Sequence, residues 1–279
     1  MKGPLVINFE QLWQEGMHDW HGKMPERMVD DALEEAFWAA SMAKKKPKQT
    51  DAYAETIFQA MQAHLTPADE VLEIGPGWGN YTFPLESYVA SVTCVDSSES
   101  VLAYLKQHTT KRVKLCHGKF EQLALAQHDV VLGVNCFYRM YHMNATLVKM
   151  NELARKKAII GMTTGPIQPH YNILHDTYGY AIKFPRRDYI EIVNMLYQLG
   201  IYADCQMIPL ERTYRYDSKE ALLTAQNKKI LDAQFNMEHV EAALAPFIVE
   251  ENGVYSYSHT FYAAIITWTP VQKVMVETK

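Results

Sequence analysis

Between Val71 and Asn80 the chain reads VLEIGPGWGN, an apolar strand carrying Glu73 that runs directly into Gly75, Pro76, Gly77, Trp78 and Gly79. Glycines at that spacing let a backbone turn sharply at the carboxyl end of a strand and approach a ligand with no Cβ in the way. Such a loop receives a nucleotide-type ligand. The spacing is G-x-G-x-G, whereas the dinucleotide fingerprint G-x-G-x-x-G requires a small residue where Asn80 stands, so pyrophosphate is the weaker match. Glu73 points the same way. A carboxylate just ahead of the glycines would repel a pyrophosphate, yet it can accept from an ammonium group or hold the loop's own amides. Asp96 closes the next apolar run, SVTCVD, where a carboxylate can accept both hydroxyls of a ribose. These residues describe a site for a nucleoside with a cationic tail.

The elements that must position them follow an alternating rhythm. From Glu70, short apolar or β-branched runs (VLEI, SVTCVD, RVKLCHG, DVVLGVN, KAIIGM) alternate with helical patterns near 82–88, 98–107, 146–156 and 187–199. This alternation predicts crossover units and a parallel sheet covered on both faces. After Gly200 come a long strand, IYADCQMIPLERTYRY, helices over 218–231 and 237–244, and a final strand, YSYSHTFYAAIITW. The expected fold is therefore α/β: a doubly wound, Rossmann-like, seven-stranded sheet, mostly parallel with an antiparallel last strand. An N-terminal helical cap over 1–50 precedes the main domain, 51–279, and a two-helix insertion over about 218–250 interrupts it. The cap contains a helix from Met28 to Met42 with Leu33, Ala36, Phe37 and Ala40 on one face, then the solvated linker KKKPK.

Composition narrows the classes. With 279 residues, 32 acidic against 27 basic side chains and a formal charge of −5, the chain has no general basic field for nucleic acid or an anionic membrane. No apolar run approaches the roughly 20 residues that span a bilayer, and the opening residues lack a leader's apolar core. The four cysteines lie far apart with no C-x-x-C, which predicts free thiols and a reduced, cytoplasmic setting.

VLEIGPGWGNYTFPL, then VTCVDSS, CHGKFEQL and HDVVLGVN, resembles the four successive ligand-binding motifs of class I S-adenosylmethionine-dependent methyltransferases, in register over about residues 50–165. The resemblance implies that S-adenosylmethionine is the cofactor, leaving as S-adenosylhomocysteine. It implies that Glu73 and the loop Gly75, Pro76, Gly77 and Gly79 line the methionyl end, that Asp96 takes the ribose hydroxyls, and that Ser97 packs beside the adenine. In the third motif an acid usually stands two residues after the position of His117; this chain has Lys119, so Phe120 would cover the adenine and Glu121 or Gln122 supply the acceptor. The fourth motif places Asn135 and Cys136 at the end of the central strand, facing the transferred methyl. An aromatic on the helices before the first motif, Tyr53 ahead of Trp38, would stack near the sulfonium. The segment after Asn135 lacks the N-P-P-[YF] signature of amide methylases, and a small-molecule acceptor fits the charge argument.

Tyr138 and His142 are the candidate catalytic residues, an imidazole being suited to take a proton from a protic acceptor. Arg139 is a candidate for a substrate carboxylate. The segment from Met162 to Asp188 is too long and too rich in Gly, Pro, His and Tyr for a simple connection, and reads as a lid whose Gly165, Pro166, Pro169 and Gly179 favour loop. Its His170, Tyr171 and His175 are candidate substrate contacts, and their spacing matches no metal site. Arg186 and Arg187 read as solvated charges at a helix start, with an acidic substrate as their alternative partner. A non-catalytic sensor of S-adenosylmethionine and a nicotinamide-linked oxidoreductase are the alternative functions.

Overall fold

The computed structural model describes residues 7–184 and 187–272; Arg186 and part of the 162–188 segment fall outside them. Helices Phe9–Gly16 (α1), Glu26–Val29 (α2), Asp31–Lys44 (α3) and Ala54–Gln62 (α4) precede the first strand. Then come Glu70–Ile74 (β1), Thr82–Tyr88 (α5), Ser91–Asp96 (β2), Glu99–His108 (α6), Val113–His117 (β3), His128–Val134 (β4), Met143–Leu153 (α7) and Ala154–Thr164 (β5). The remainder comprises Pro169–Tyr178 (α8), Tyr189–Gln198 (α9), Asp204–Tyr216 (β6), Lys219–Ala225 (α10), Met237–Leu244 (α11), Ile248–Glu251 (β7) and Val254–Trp268 (β8).

Among the described residues eight strands form one sheet in the order β3-β2-β1-β4-β5-β8-β6, with β7 paired to β8. The first five run parallel, Val71 opposite Val92 on one side and Val130 on the other. Both faces of β1 and β4 are covered, and this is why VLEI and DVVLGV read as unbroken apolar runs. The strand order reverses between β1 and β4. In an open α/β sheet that switch leaves a crevice at the carboxyl ends, where Gly75, Asp96 and Asn135 all stand.

The expected seven strands become eight because Asn252 and Gly253, both at positive φ, turn β7 back antiparallel onto β8. An Asn-Gly pair between β-forming residues is a two-residue hairpin signal. The expected helix from Met28 to Met42 is broken at Asp30, whose carboxylate caps α3 by accepting from the amides of Ala32 and Leu33. Nor is its apolar face the buried one: Leu33 and Phe37 are 42% and 38% exposed, whereas Glu34 is only 3% exposed.

Contacts divide the chain into two units, each with its own core. The first holds residues 7–162, 187–208 and 264–272, around a cluster that includes Trp13, Leu72, Phe137, Leu147, Ile160 and Trp268. The second holds 163–184 and 209–263, around Tyr171, Leu174, Leu222, Val240 and Tyr257. In the second unit the expected loop is in fact α8. Pro169 opens it at the first turn and Gly179, in the left-handed region, ends it by donating its amide to the His175 carbonyl at 3.0 Å. A proline at the start and a glycine just past the end are helix boundaries as well as loop formers. Among the described residues no helix is long and apolar enough to cross a membrane.

Candidate functional site

A cavity of about 850 Å³ opens at the carboxyl ends of β1, β2 and β4, entirely within the first unit. Its floor is backbone. Gly75 extends the sheet by donating to the Val95 carbonyl at 2.8 Å, and a Cβ on it would lie 2.5 Å from the Cys136 Cβ. Gly77 adopts φ +47°, and its missing Cβ leaves room for the Trp38 indole, which would be 3.0 Å away. Both therefore combine a left-handed backbone with a close approach. At Gly79 a Cβ would meet Phe83 and Leu105, so that glycine seats α5 and α6 and does not line the cavity.

Asp96 sits at the cavity edge with one carboxylate oxygen accepting from the Ser98 amide at 2.9 Å and the other from the Gly77 amide at 3.5 Å. Burial raises its pKa to about 6, against the pull of those two amides, with Glu34 and Glu35 adding repulsion. Glu73 does not line the cavity, contrary to expectation. Its carboxylate accepts from the Thr82 hydroxyl at 2.6 Å and the Cys94 thiol at 3.4 Å, so it holds α5 to the strands. Burial pushes it up to about 7, the two hydrogen bonds opposing and Asp96 assisting. Its partners are thus a hydroxyl and a thiol, and the loop amides that the sequence offers as an alternative are not among them.

Opposite the floor lies a cover made from α2, α3 and the turn after β4. Glu34 accepts from Trp38 Nε1 at 2.8 Å, from the Tyr138 hydroxyl at 2.5 Å and from Arg27 at 2.9 Å. Arg27 in turn lies 3.5 Å over the Phe37 ring. Asp31 pairs with Lys119 at 2.8 Å and Arg139 at 2.6 Å, while Glu35 accepts from both the amide and the hydroxyl of Ser100. Lys119, the residue that departs from the third motif, thus meets a carboxylate supplied from α3. At the loop's end Asn80 and Asp51 bond reciprocally, Nδ2 to Oδ2 at 2.7 Å and amide to Oδ1 at 3.2 Å.

The turn after β4 is pinned from behind. Trp13 Nε1 donates to the Met140 carbonyl at 2.9 Å, Arg187 donates to the Tyr138 carbonyl at 2.9 Å, and Glu10 accepts the Asn144 amide at the start of α7. Arg187 is therefore a packed brace lying 5.1 Å over the Trp13 ring, and not the solvated charge expected.

Of the residues singled out from sequence, Tyr53, Gly75, Pro76, Gly77, Asp96, Ser97, Phe120, Glu121, Asn135, Tyr138, Arg139 and His142 all line this one cavity. His170, Tyr171 and His175 do not; they lie on α8 in the second unit. His170 is fully buried, bonded to the Tyr257 hydroxyl at 2.8 Å and the Gln226 carbonyl at 2.9 Å, and burial lowers its pKa to about 4. Sequence reasoning missed Arg27, Glu34, Phe37 and Asp51, which also line the cavity. The acid at Glu34 carried a signal: it lies four residues ahead of Trp38, the helical spacing at which the two side chains meet.

Residues 71–157 match a family model described as a methyltransferase domain. An uncharacterized protein of Haemophilus influenzae is 27% identical over 232 residues, which cover 78% of this chain and 81% of that protein. Among solved structures, a candidate methyltransferase from Bacillus halodurans aligns with a TM-score of 0.50 at 15% identity, over 79% of this chain and 99% of that one. The magnesium protoporphyrin IX methyltransferase of Synechocystis, with bound SAH, aligns with a TM-score of 0.51 at 12% identity, over 87% and 100%. At these identities the solved structures share the fold with this chain.

Proposed function

We propose that the chain carries a class I S-adenosylmethionine-dependent methyltransferase domain and transfers the methyl group of that cofactor to a small-molecule acceptor. One observation carries the reading: floor and cover enclose a single cavity of about 850 Å³, within the roughly 300–1,000 Å³ of small-molecule sites and large enough to seat an acceptor beside a nucleoside. The residues fit the cofactor. Asp96 offers a carboxylate to ribose hydroxyls, Gly75 and Gly77 leave the space that a Cβ would fill, and Tyr53 and Trp38 bring aromatic faces to the wall. Phe120 and Ser97 would flank the adenine, with Glu121 as acceptor for its amino group, and Asn135 would stand at the methionyl end.

When bound, S-adenosylmethionine would supply an electrophilic methyl group, to which the acceptor bonds in line as the carbon–sulfur bond breaks and S-adenosylhomocysteine leaves. The chain's part is alignment and, for a protic acceptor, proton removal. His142 suits the second task, because it lines the cavity at the start of α7 and its ring nitrogens hold no hydrogen bond among the described residues. Tyr138 does not: burial and then Glu34 raise its pKa, and its proton is already committed to that carboxylate. It holds the cover. Arg139 lines the same wall with its Nε buried and unpaired, which suits an acceptor carrying a carboxylate. The acidic net charge supports an acceptor other than nucleic acid, and four free cysteines support a cytoplasmic setting.

Calorimetry with S-adenosylhomocysteine, followed by a methyl-transfer screen over metabolite extracts, tests the reading. Micromolar binding, with turnover lost in His142→Ala but binding kept, is the expected result. Dinucleotide binding without S-adenosylhomocysteine binding overturns it, and cofactor binding without turnover on any acceptor identifies a sensor.

A further inference from the structure

The second unit contains a group of cations that no described residue neutralises. On one face of β6 and β8 the rings of Tyr214, Tyr257 and His259 stack. Tyr214 lies 5.9 Å from His259 at 12° between planes and 6.2 Å from Tyr257 at 18°. The Arg212 guanidinium lies 4.8 Å over Tyr214, and the Lys229 ammonium, on the segment after α10, lies 5.5 Å from the ring of Tyr171 on α8. Neither Arg212 nor Lys229 forms an ion pair among the described residues. Lys229 is half-buried, and loss of water alone lowers its pKa.

His259 completes the group. Its Nδ1 faces the Thr260 carbonyl at 3.4 Å, while its Nε2 is buried with no hydrogen-bond partner among the described residues. Burial lowers its pKa against the pull of the Thr260 carbonyl, and Lys229 and Arg212 lower it further, so both charges act on the imidazole. A half-buried ammonium and a guanidinium are two donors wanting an acceptor, and beside them stands an imidazole nitrogen that becomes a third on protonation, in a chain of net charge −5.

We propose that the second unit binds an oxyanion, a carboxylate or phosphate group, between Arg212, Lys229 and His259 Nε2, with the ring of Tyr214 beside it for a flat body attached to that anion. The anion would draw a proton onto His259 Nε2, turning an unused acceptor into a donor. The site stands on residues of the second unit only and does not depend on the methyl-transfer reading.

The test follows the histidine directly. In the full chain labelled with ¹³C-histidine, the His259 signal is assigned by its disappearance in His259→Gln, then titrated with inorganic phosphate and, separately, with benzoate. Saturable movement of that signal with either probe, with a higher titration midpoint, is the expected result, and the probe that binds tighter names the anion class. Arg212→Gln and Lys229→Gln should each weaken binding about tenfold, as loss of one charge-assisted donor does. Both replace side chains outside the core, and an unchanged melting temperature confirms the fold. No movement of His259 with either probe overturns the proposal. So does movement undiminished in the double variant, which would mark an adventitious ion only.

Discussion

The two walls of the cavity are made of different material. The floor is main chain: Gly75 bonded into the sheet, Gly77 against Asp96, and no side chain that could step aside. The cover is side chains meeting in pairs, Glu34 with Tyr138, Trp38 and Arg27, and Asp31 with Lys119 and Arg139. A backbone wall is all or nothing, whereas a wall of polar pairs loosens by increments. Substitutions in the floor should therefore abolish the site and those in the cover should grade it.

The largest effect is expected at Gly75→Ala. A Cβ there meets Cys136 at 2.5 Å with φ at +59°, and strain plus overpacking amount to about 2–4 kcal/mol. Binding of S-adenosylhomocysteine should vanish by calorimetry, and affinity within twofold of wild type would refute the rigid floor. Asp96→Ala should cost about 1.5–3 kcal/mol of that affinity, the worth of a charge-assisted pair. Because Asp96 must be ionised to accept and its pKa is about 6, wild-type affinity should fall as pH drops through 6, and the variant should lose that dependence.

In the cover, Glu34→Ala leaves three donors without their acceptor and should lower stability by about 1–3 kcal/mol in urea unfolding, while cofactor affinity falls only partly. Equal loss of both would dissolve the distinction between walls. Beneath the floor, Glu73 has a pKa of about 7 in the folded chain against 4.5 as the ordinary value. The folded state then binds more protons than the unfolded one between these limits, so this group's contribution to stability falls as pH rises from about 4.5 to 7. Glu73→Gln removes that burden, and its melting temperature relative to wild type should be higher at pH 8 than at pH 5; a constant difference would contradict it. The smallest effect belongs to Asp31→Ala, whose solvent-exposed carboxylate makes pairs with Lys119 and Arg139 worth under about 1 kcal/mol. Added salt should erase its effect on stability.

The parallel sheet and the floor were legible because their signals are local. Continuous apolar runs, the glycine spacing and the acid closing SVTCVD all sit within a few residues of one another. The cover was not, since Glu34 and Tyr138 are 104 residues apart and a carboxylate on a helix ordinarily reads as solvated. Tyr138 was picked out for its place after the central strand, but only its partner reveals that its hydroxyl is spoken for. In the segment after β5, Pro169 and Gly179 were read as loop formers, and the same two residues proved to be the two ends of a helix. His170 reads as a substrate contact from its place in the segment after the fifth strand, whereas the Tyr257 hydroxyl and Gln226 carbonyl that engage it come from 87 and 56 residues away.

Trp13 carries a consequence for the order of assembly. Its indole bonds to the Met140 carbonyl 127 residues later. During synthesis at roughly 5–20 residues per second, α1 leaves the ribosome about 6–25 seconds before its acceptor exists. Until then a tryptophan destined for the core has no place to go. The turn that carries Tyr138, Arg139 and His142 likewise gains its backing only when the earliest helix returns to it, so the two ends of this long loop must close before the cavity has a second wall.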